Sequence, residues 1–355
     1  MPGNTNIELL EAARVLGLSM LSFLIAMAAT PLIIRLLLRF HVSKQIRTTD
    51  SAPIFASLHQ KKAGTPTMGG IIIWATTLGL AVALLFLDVL FDGWWTFLNF
   101  VDRAQTYLPL AAMAIAATIG FADDWLGVLK RGEKGGGLKV RHKLAIYFLL
   151  AAVGAWWFYA PYNLDWHVIK IPFFGVYDIG LWYVPIFMFI IVATAFSANE
   201  TDGLDGLLGG VSLFAFGALT VVAFALGRYD LATLGGVVIG SLLAFLWYNI
   251  YPARFFMGDT GSMSLGITLG VIAMLTNTAF LLPFFGIILV IESVSVIAQL
   301  MSKKILKRKV FLSTPIHHHF EALGWPETKV TMRFWIISAV FMALGLAIFF
   351  LDRLG

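Results

Sequence analysis

Ten mostly apolar stretches occupy most of the chain: 16–38, 68–91, 107–123, 143–161, 181–198, 207–227, 231–250, 262–278, 280–301 and 333–351. About 20 such residues in a helix cross the hydrocarbon core of a bilayer. The third stretch is short and ends in Asp123-Asp124, and the eighth and ninth are separated by little more than a turn. The reading is therefore about ten membrane-spanning helices. Of the 355 residues, 59% are hydrophobic and 13% are charged, with mean hydropathy +0.85. A soluble protein carries roughly 25% charged residues. The composition thus points to one all-α, polytopic membrane domain over 1–355, rather than to two soluble domains. There are no cysteines, which excludes disulfides, thiolate metal sites and cysteine nucleophiles. The opening MPGNTNIELLEAAR lacks the basic region of a cleavable signal, so the first span is expected to be retained.

The charges carry the expected orientation. Of 25 Lys and Arg, only Arg14, Arg103, Lys170, Arg228 and Arg353 fall on the N-terminal side of the membrane. The other 20 lie in or beside the loops after spans 1, 3, 7 and 9. By the positive-inside rule those loops are cytoplasmic and both termini lie outside. The net charge of +5 is then a topology signal, and nucleic-acid binding is not expected. The polar motifs fall on the same cytoplasmic face: Asp123-Asp124, FSANETDGLDG (Phe196–Gly206), FFMGDTGS (Phe255–Ser262) and PIHHHFEALGWPE (Pro315–Glu327). GEKGGG (132–137) reads as a flexible loop.

Each motif has a structural reading beside a chemical one. Adjacent Asp123 and Asp124 point about 100° apart on a helix, so one can face a metal or a proton while the other orients a neighbour. Their place at a helix C-terminus, against the macrodipole, disfavours a purely structural role. Asp202 and Asp205, at i and i+3, share a face if the turn is helical, and Thr201 or Asp202 is a candidate N-cap of the sixth span. Asp259 sits between glycines and is either an N-cap or a ligand-facing group. These oxygen donors suit Mg²⁺, which takes one or two carboxylates plus substrate phosphates. Consecutive His317, His318 and His319 splay and cannot all hold one ion. A histidine beside phosphate can donate a hydrogen bond or a proton. The basic loops, including Lys62 and Lys143, read mainly as topology and lipid-headgroup contacts, with one or two of their cations free to neutralise a diphosphate substrate. Glu292 lies within the ninth span, where a carboxylate is costly and by default functional, with no partner visible in sequence. Together these groups suggest phosphoryl transfer between a soluble donor and a lipid acceptor, which depends on positioning and charge neutralisation.

KKAGTPTMGG (61–70), FADDW, NETDGLDG, WYNIYPARFFMGDTGS and PIHHHFEALGWPE closely resemble the bacterial phospho-MurNAc-pentapeptide transferase (translocase) family, in the family's order. The resemblance covers essentially the whole chain. It implies transfer of phospho-MurNAc-pentapeptide from its UDP donor to undecaprenyl phosphate, giving lipid I and UMP in peptidoglycan synthesis at the bacterial inner membrane. It also implies a Mg²⁺ requirement and a homodimer. Asp123 and Asp124 match the family's catalytic aspartates, one proposed to deprotonate the lipid phosphate. Asp259 matches its metal-binding aspartate, with Asp123 as a second candidate ligand. His317, His318 and His319 match its catalytic-loop histidines. Lys62, Asp205, Asn249 and Phe256 match nucleotide-associated positions, Asn199 and Asp202 match polar active-site positions, and Gln299 is carried over with Glu292.

Three residues depart from the family pattern: Phe196 replaces an asparagine, Glu200 an apolar residue, and Gly127 a lysine. Two other readings compete. One is a UDP-GlcNAc:polyprenyl-phosphate transferase, against which the histidine loop argues. The other is an ion-coupled transporter, whose site would lie near the bilayer midplane; here the acids cluster at one face.

Overall fold

The computed structural model describes residues 2–40, 42, 62, 64–131, 137–161 and 164–354, and each of the ten apolar stretches is helical in it. The loop at 132–136 and Lys61 lie outside the described residues. The helices are α1 (Pro2–Arg39), α2 (Ile71–Leu90), the short α3 (Trp94–Leu98), α4 (Tyr107–Val128) and α5 (Val140–Tyr159). They continue with α6 (Tyr183–Thr201), α7 (Leu207–Ala225), α8 (Tyr229–Asn249) and α9 (Asp259–Leu275). The short α10 (Leu282–Phe285) leads into α11 (Ile287–Ile305), followed by α12 (Ile316–Ala322) and α13 (Glu327–Asp352). Among the described residues, seven of these helices (α1, α2, α4, α6, α7, α8 and α13) are long and apolar enough to cross a bilayer. The chain is a multi-pass membrane protein. The other three long helices fall short for visible reasons. Helix α5 opens on Arg141, His142 and Lys143, α9 has 17 residues, and α11 contains Glu292 and ends in Lys303 and Lys304.

The all-α expectation misses one element. Val168–Ile171 (β1) and Gly175–Asp178 (β2) form an antiparallel hairpin in which Val168 faces Asp178 and Ile171 faces Gly175. Four-residue strands leave too little alternation to stand out among apolar neighbours. The signal that was present is the β-branched Val-Ile-Lys-Ile run ahead of Gly175, which turns the chain at a φ of 103°.

Helix α9 is the axis of the bundle, with every residue from Thr260 to Leu275 buried. It packs against α2, α4, α6 and α7. Between membrane helices, small residues allow the close backbone approach that replaces a hydrophobic driving force. A Cβ on Gly120 of α4 would collide with the Asp259 backbone, and one on Gly70 with the backbone of Gly261. These two contacts bring the start of α9 against α4 and the head of α2. At the other end of the bundle, Arg14 bonds Asp230 at 2.6 Å, Lys170 bonds Asp352 at 2.6 Å, and Arg353 donates to the Ala225 carbonyl at 2.6 Å. These three bonds staple the hairpin end; the motif residues gather at the opposite end.

Candidate active site

Helix α4 does not stop at the aspartate pair but continues to Val128, so the pair lies more than a turn inside it. Hydropathy falls at Asp123 while the helix goes on, which is why the apolar stretch ended too early. The pair divides its work. Gly120, Asp123 and Asp124 lie three and four residues apart, on the face turned to α9. Asp124 Oδ1 accepts from the Asp259 amide at 3.1 Å, and Oδ2 from the Thr260 amide at 3.0 Å. Its carboxylate therefore caps the first turn of α9 from another helix, where it complements the macrodipole. Asp259 is the first residue of α9 rather than its cap; the cap position is Gly258, at φ 75°. Each charge-assisted bond of this kind is worth about 1.5–3 kcal/mol. Asp124→Ala is accordingly expected to lower unfolding stability in detergent by about 2–4 kcal/mol, read as a fall in Tm alongside any loss of activity.

Asp123 is 2% exposed and bonds a different set of partners. Its Oδ1 accepts from the Leu138 amide, and its Oδ2 lies 2.8 Å from Lys143 Nζ. The same ammonium bonds Asp259 Oδ2, while Asp259 Oδ1 accepts from Asn199 Nδ2 at 2.5 Å. Asn199 also reaches Ser262 Oγ at 3.2 Å. The buried Asp123 and half-buried Asp259 thus face each other with a cation between them, as like charges require at such range. Lys143 is the residue that sequence reasoning undervalued. In sequence it reads as a topology cation, although it stands one turn before Tyr147, whose hydroxyl is buried and has no hydrogen-bond partner among the described residues. A cation heading an apolar helix beside buried polar groups was the available signal.

A second cluster surrounds Lys62. Its Nζ lies 2.6 Å from Asp205 Oδ1, 2.5 Å from Glu327 Oε1, and 5.8 Å from the centroid of the Phe256 ring. Glu327 also accepts from the Asp205 amide at 2.6 Å, and Asp205 Oδ2 accepts from Ala253 N at 3.0 Å. Asn249, the last residue of α8, accepts from Gly206 N at 3.0 Å and donates to the Phe255 carbonyl at 2.8 Å. Phe256 is fixed by its backbone, which pairs with Pro66 and Gly69 at 2.7 Å each. Its half-buried ring is left beside the lysine.

The histidines lie on α12 and do splay. His317 Nδ1 lies 3.0 Å from Glu292 Oε2, His318 Nδ1 lies 2.7 Å from Glu321 Oε2, and His319 Nδ1 accepts from Leu312 N at 3.2 Å. Gln299 serves the preceding loop: its Oε1 accepts from Val310 N at 2.9 Å and Phe311 N at 3.1 Å, and its Nε2 donates to the Phe311 carbonyl at 2.9 Å.

The residues 199–206 join these clusters. Helix α6 ends at Thr201, with Asp202 as its C-cap, and α7 starts only at Leu207 after Gly206 at φ 74°. The expected helical turn with Asp202 as N-cap of the sixth span is therefore replaced by an irregular turn. Glycines at 203 and 206 favour the turn over another helical cycle. The turn sends Asn199 to the Asp259–Lys143 pair, Gly203 against the His317 ring, and Asp205 to Lys62. Glu200, half-buried, acts electrostatically on His317.

Among the described residues no group of three or more His, Asp or Glu side chains is placed to hold a metal ion. The pair Asp123 and Asp259 nevertheless fits Mg²⁺, which seldom uses an all-protein cage and takes one or two carboxylates beside waters and phosphates. Their dependence on an interposed cation points the same way.

A bundle of apolar helices with acids, lysines and histidines gathered at one end is the arrangement of a membrane protein with a polar site at one face, as a membrane-embedded transferase requires. Residues 106–277 match the family described as Glycosyl transferase family 4, and residues 62–73 match the phospho-N-acetylmuramoyl-pentapeptide-transferase signature 1. The chain is 38% identical to the phospho-N-acetylmuramoyl-pentapeptide-transferase of Anoxybacillus flavithermus, over 92% of this chain and 95% of that protein. It is 38% identical to the enzyme of the same name from Chloroflexus aurantiacus, over 95% and 90%, and 37% identical to that of a Geobacillus species, over 96% and 99%. The chain belongs to the phospho-N-acetylmuramoyl-pentapeptide-transferase family.

Proposed function

We infer that this protein transfers phospho-MurNAc-pentapeptide from UDP-MurNAc-pentapeptide to undecaprenyl phosphate, forming lipid I and releasing UMP in peptidoglycan synthesis. The observation that carries the reading is the convergence of the family's motifs on one end of the bundle, through the turn at 199–206. In the reaction an oxygen of the lipid phosphate becomes bonded to the sugar-bearing phosphorus, and the bond from that phosphorus to the UMP oxygen breaks.

Asp259 and Asp123 are the residues that would hold Mg²⁺, which when bound supplies positive charge to the diphosphate. Lys143, between the same two carboxylates, adds a cation on the protein's side. Asp123, rather than Asp124, faces this space and is the carboxylate suited to take a proton from the acceptor phosphate. Asp124 holds the helix on which Asp259 stands. Lys62, Asp205, Asn249 and Phe256 form a wall suited to the nucleotide, with the Phe256 ring offering an apolar face to the uracil. His318 and His319 suit the donor's phosphates, Asp202 flanks the same turn, and Gln299 acts by fixing the loop that leads into the histidines.

The orientation is part of the reading. About ten spans, outward termini, a cytoplasmic site and an inner-membrane location rest on the 20 basic residues of the site-end loops. A homodimer is carried over from the family resemblance. Supplied with a mixture of UDP-sugars and undecaprenyl phosphate in detergent, the purified protein is expected to yield lipid-linked MurNAc-pentapeptide and UMP. Chelation with EDTA is expected to stop UMP release and added Mg²⁺ to restore it. A lipid product carrying GlcNAc in mass spectrometry, or no lipid product with every donor, would overturn the assignment.

A further inference from the structure

Glu292 sits in the second turn of α11 with its side chain fully buried, and nothing in the proposed transfer employs it. Its neighbour is His317, equally buried, at 3.0 Å between Oε2 and Nδ1. The two groups stand at ion-pair distance in the protein interior. A buried carboxylate is tolerable only when paired, and His317 is the cation in reach. The other ring nitrogen of His317 faces Gly203, where any Cβ would overlap it. The ring also meets His318 edge-on, with centroids 4.1 Å apart.

The rest of α11 has the same division of labour. Its outer face is apolar and exposed at Val294, Ile297 and Leu300. Its inner face grips other elements: Ser293 bonds Ser197 of α6 at 2.7 Å, and Ser302 donates to the Arg308 carbonyl at 2.9 Å. The helix is a bracket from which α6, its following turn and α12 are held in one arrangement.

We propose that Glu292 is a positioning residue: it holds the His317 ring wedged on Gly203, which fixes the spacing between the acidic turn and His318. The inference rests on the transfer reading above. Burial disfavours the charged ring, but the Glu292 carboxylate outweighs it and raises the His317 pKa above its ordinary value. The groups facing the ring are Glu292 from α11, His318 and Glu321 from α12, and Glu200 from α6. Because the pKa is raised on folding, the pair contributes fully below about 6.5 and is lost as pH rises through the folded value.

The test uses the full chain in detergent. Glu292→Gln is expected to lower kcat by about 10–100-fold, the range seen when a partner orienting a site histidine is removed. Both substrate KM values should stay within about twofold, and the alkaline limb of the kcat profile should move to lower pH. His317→Asn should cost a similar factor, and the double variant no more than either single one, as expected for residues acting as a unit. Glu292→Asp keeps the charge and should recover part of the rate; it carries the test if Glu292→Gln does not fold. Histidine ¹⁵N NMR reads the pairing without any reaction, through one imidazolium signal that persists to higher pH in the wild type than in Glu292→Gln. A wild-type rate and pH profile in Glu292→Gln, additive losses in the double variant, or an unchanged imidazolium signal would each overturn the proposal. Wild-type protein that makes no lipid product would instead count against the transfer reading.

Discussion

Lys143→Met is expected to abolish lipid I formation, with kcat/KM falling by at least about 10²–10³-fold. The ammonium stands between Asp123 and Asp259 and bonds both carboxylates. Removing one partner of a buried charge group costs about 3–5 kcal/mol, because the partners left behind stay desolvated and unpaired. Here two carboxylates would be left facing each other, so a fall in Tm should accompany the loss of rate. The two effects separate on titration with Mg²⁺. A divalent cation can relieve the repulsion, so added Mg²⁺ should raise the Tm of Lys143→Met more than that of the wild type. It should not restore the rate, because the protein's own cation toward the phosphates is gone. A variant with wild-type kcat/KM and Tm would return Lys143 to the role of a topology charge.

Asp259→Asn is expected to lose about 10³-fold in kcat, since metal-borne charge stabilisation amounts to several kcal/mol. The substitution keeps the size of the side chain, and the backbone amide that bonds Asp124 is untouched. The fold should therefore persist, with Tm close to that of the wild type in the absence of Mg²⁺. The thermal shift produced by Mg²⁺ should disappear, because one of two carboxylate donors is replaced. This pattern is the reverse of that expected for Asp124→Ala, in which stability falls because α9 loses its cap. If Asp259→Asn keeps both its rate and its Mg²⁺ shift, the ion is held elsewhere.

The placement of the helices was legible because apolar length is a local property, read one segment at a time. Boundaries failed where polarity and helicity part company, as at Asp123 and Asp124, where α4 runs on to Val128. The hairpin at 168–178 escaped because its pairing is short and joins residues across a turn. The site was legible as a set of residue types but not as a set of pairs. Nothing local joins Lys62 to Glu327, 265 positions later, or Glu292 to His317. Those pairings come from packing, and packing here depends on close approaches such as Gly120 against Asp259. The acidic turn shows the limit best. Its three acids have no lysine beside them in sequence, and the cation that Asp205 meets, Lys62, lies 143 positions away.

Helix α9 carries Asp259 and is enclosed by protein along its length. Eight of its 17 residues are Asp, Ser, Thr or Gly, a makeup poorly suited to facing acyl chains. When a bilayer is thicker or thinner than its helices, tilting and local deformation of the lipid-facing elements absorb the difference. Those elements here are the outer faces of helices such as α1 and α13, while α9 has no surface on which lipid can act directly. The inner helix is thereby mechanically insulated. The carboxylate at its head keeps its register with Asp124 while membrane thickness and composition vary around it.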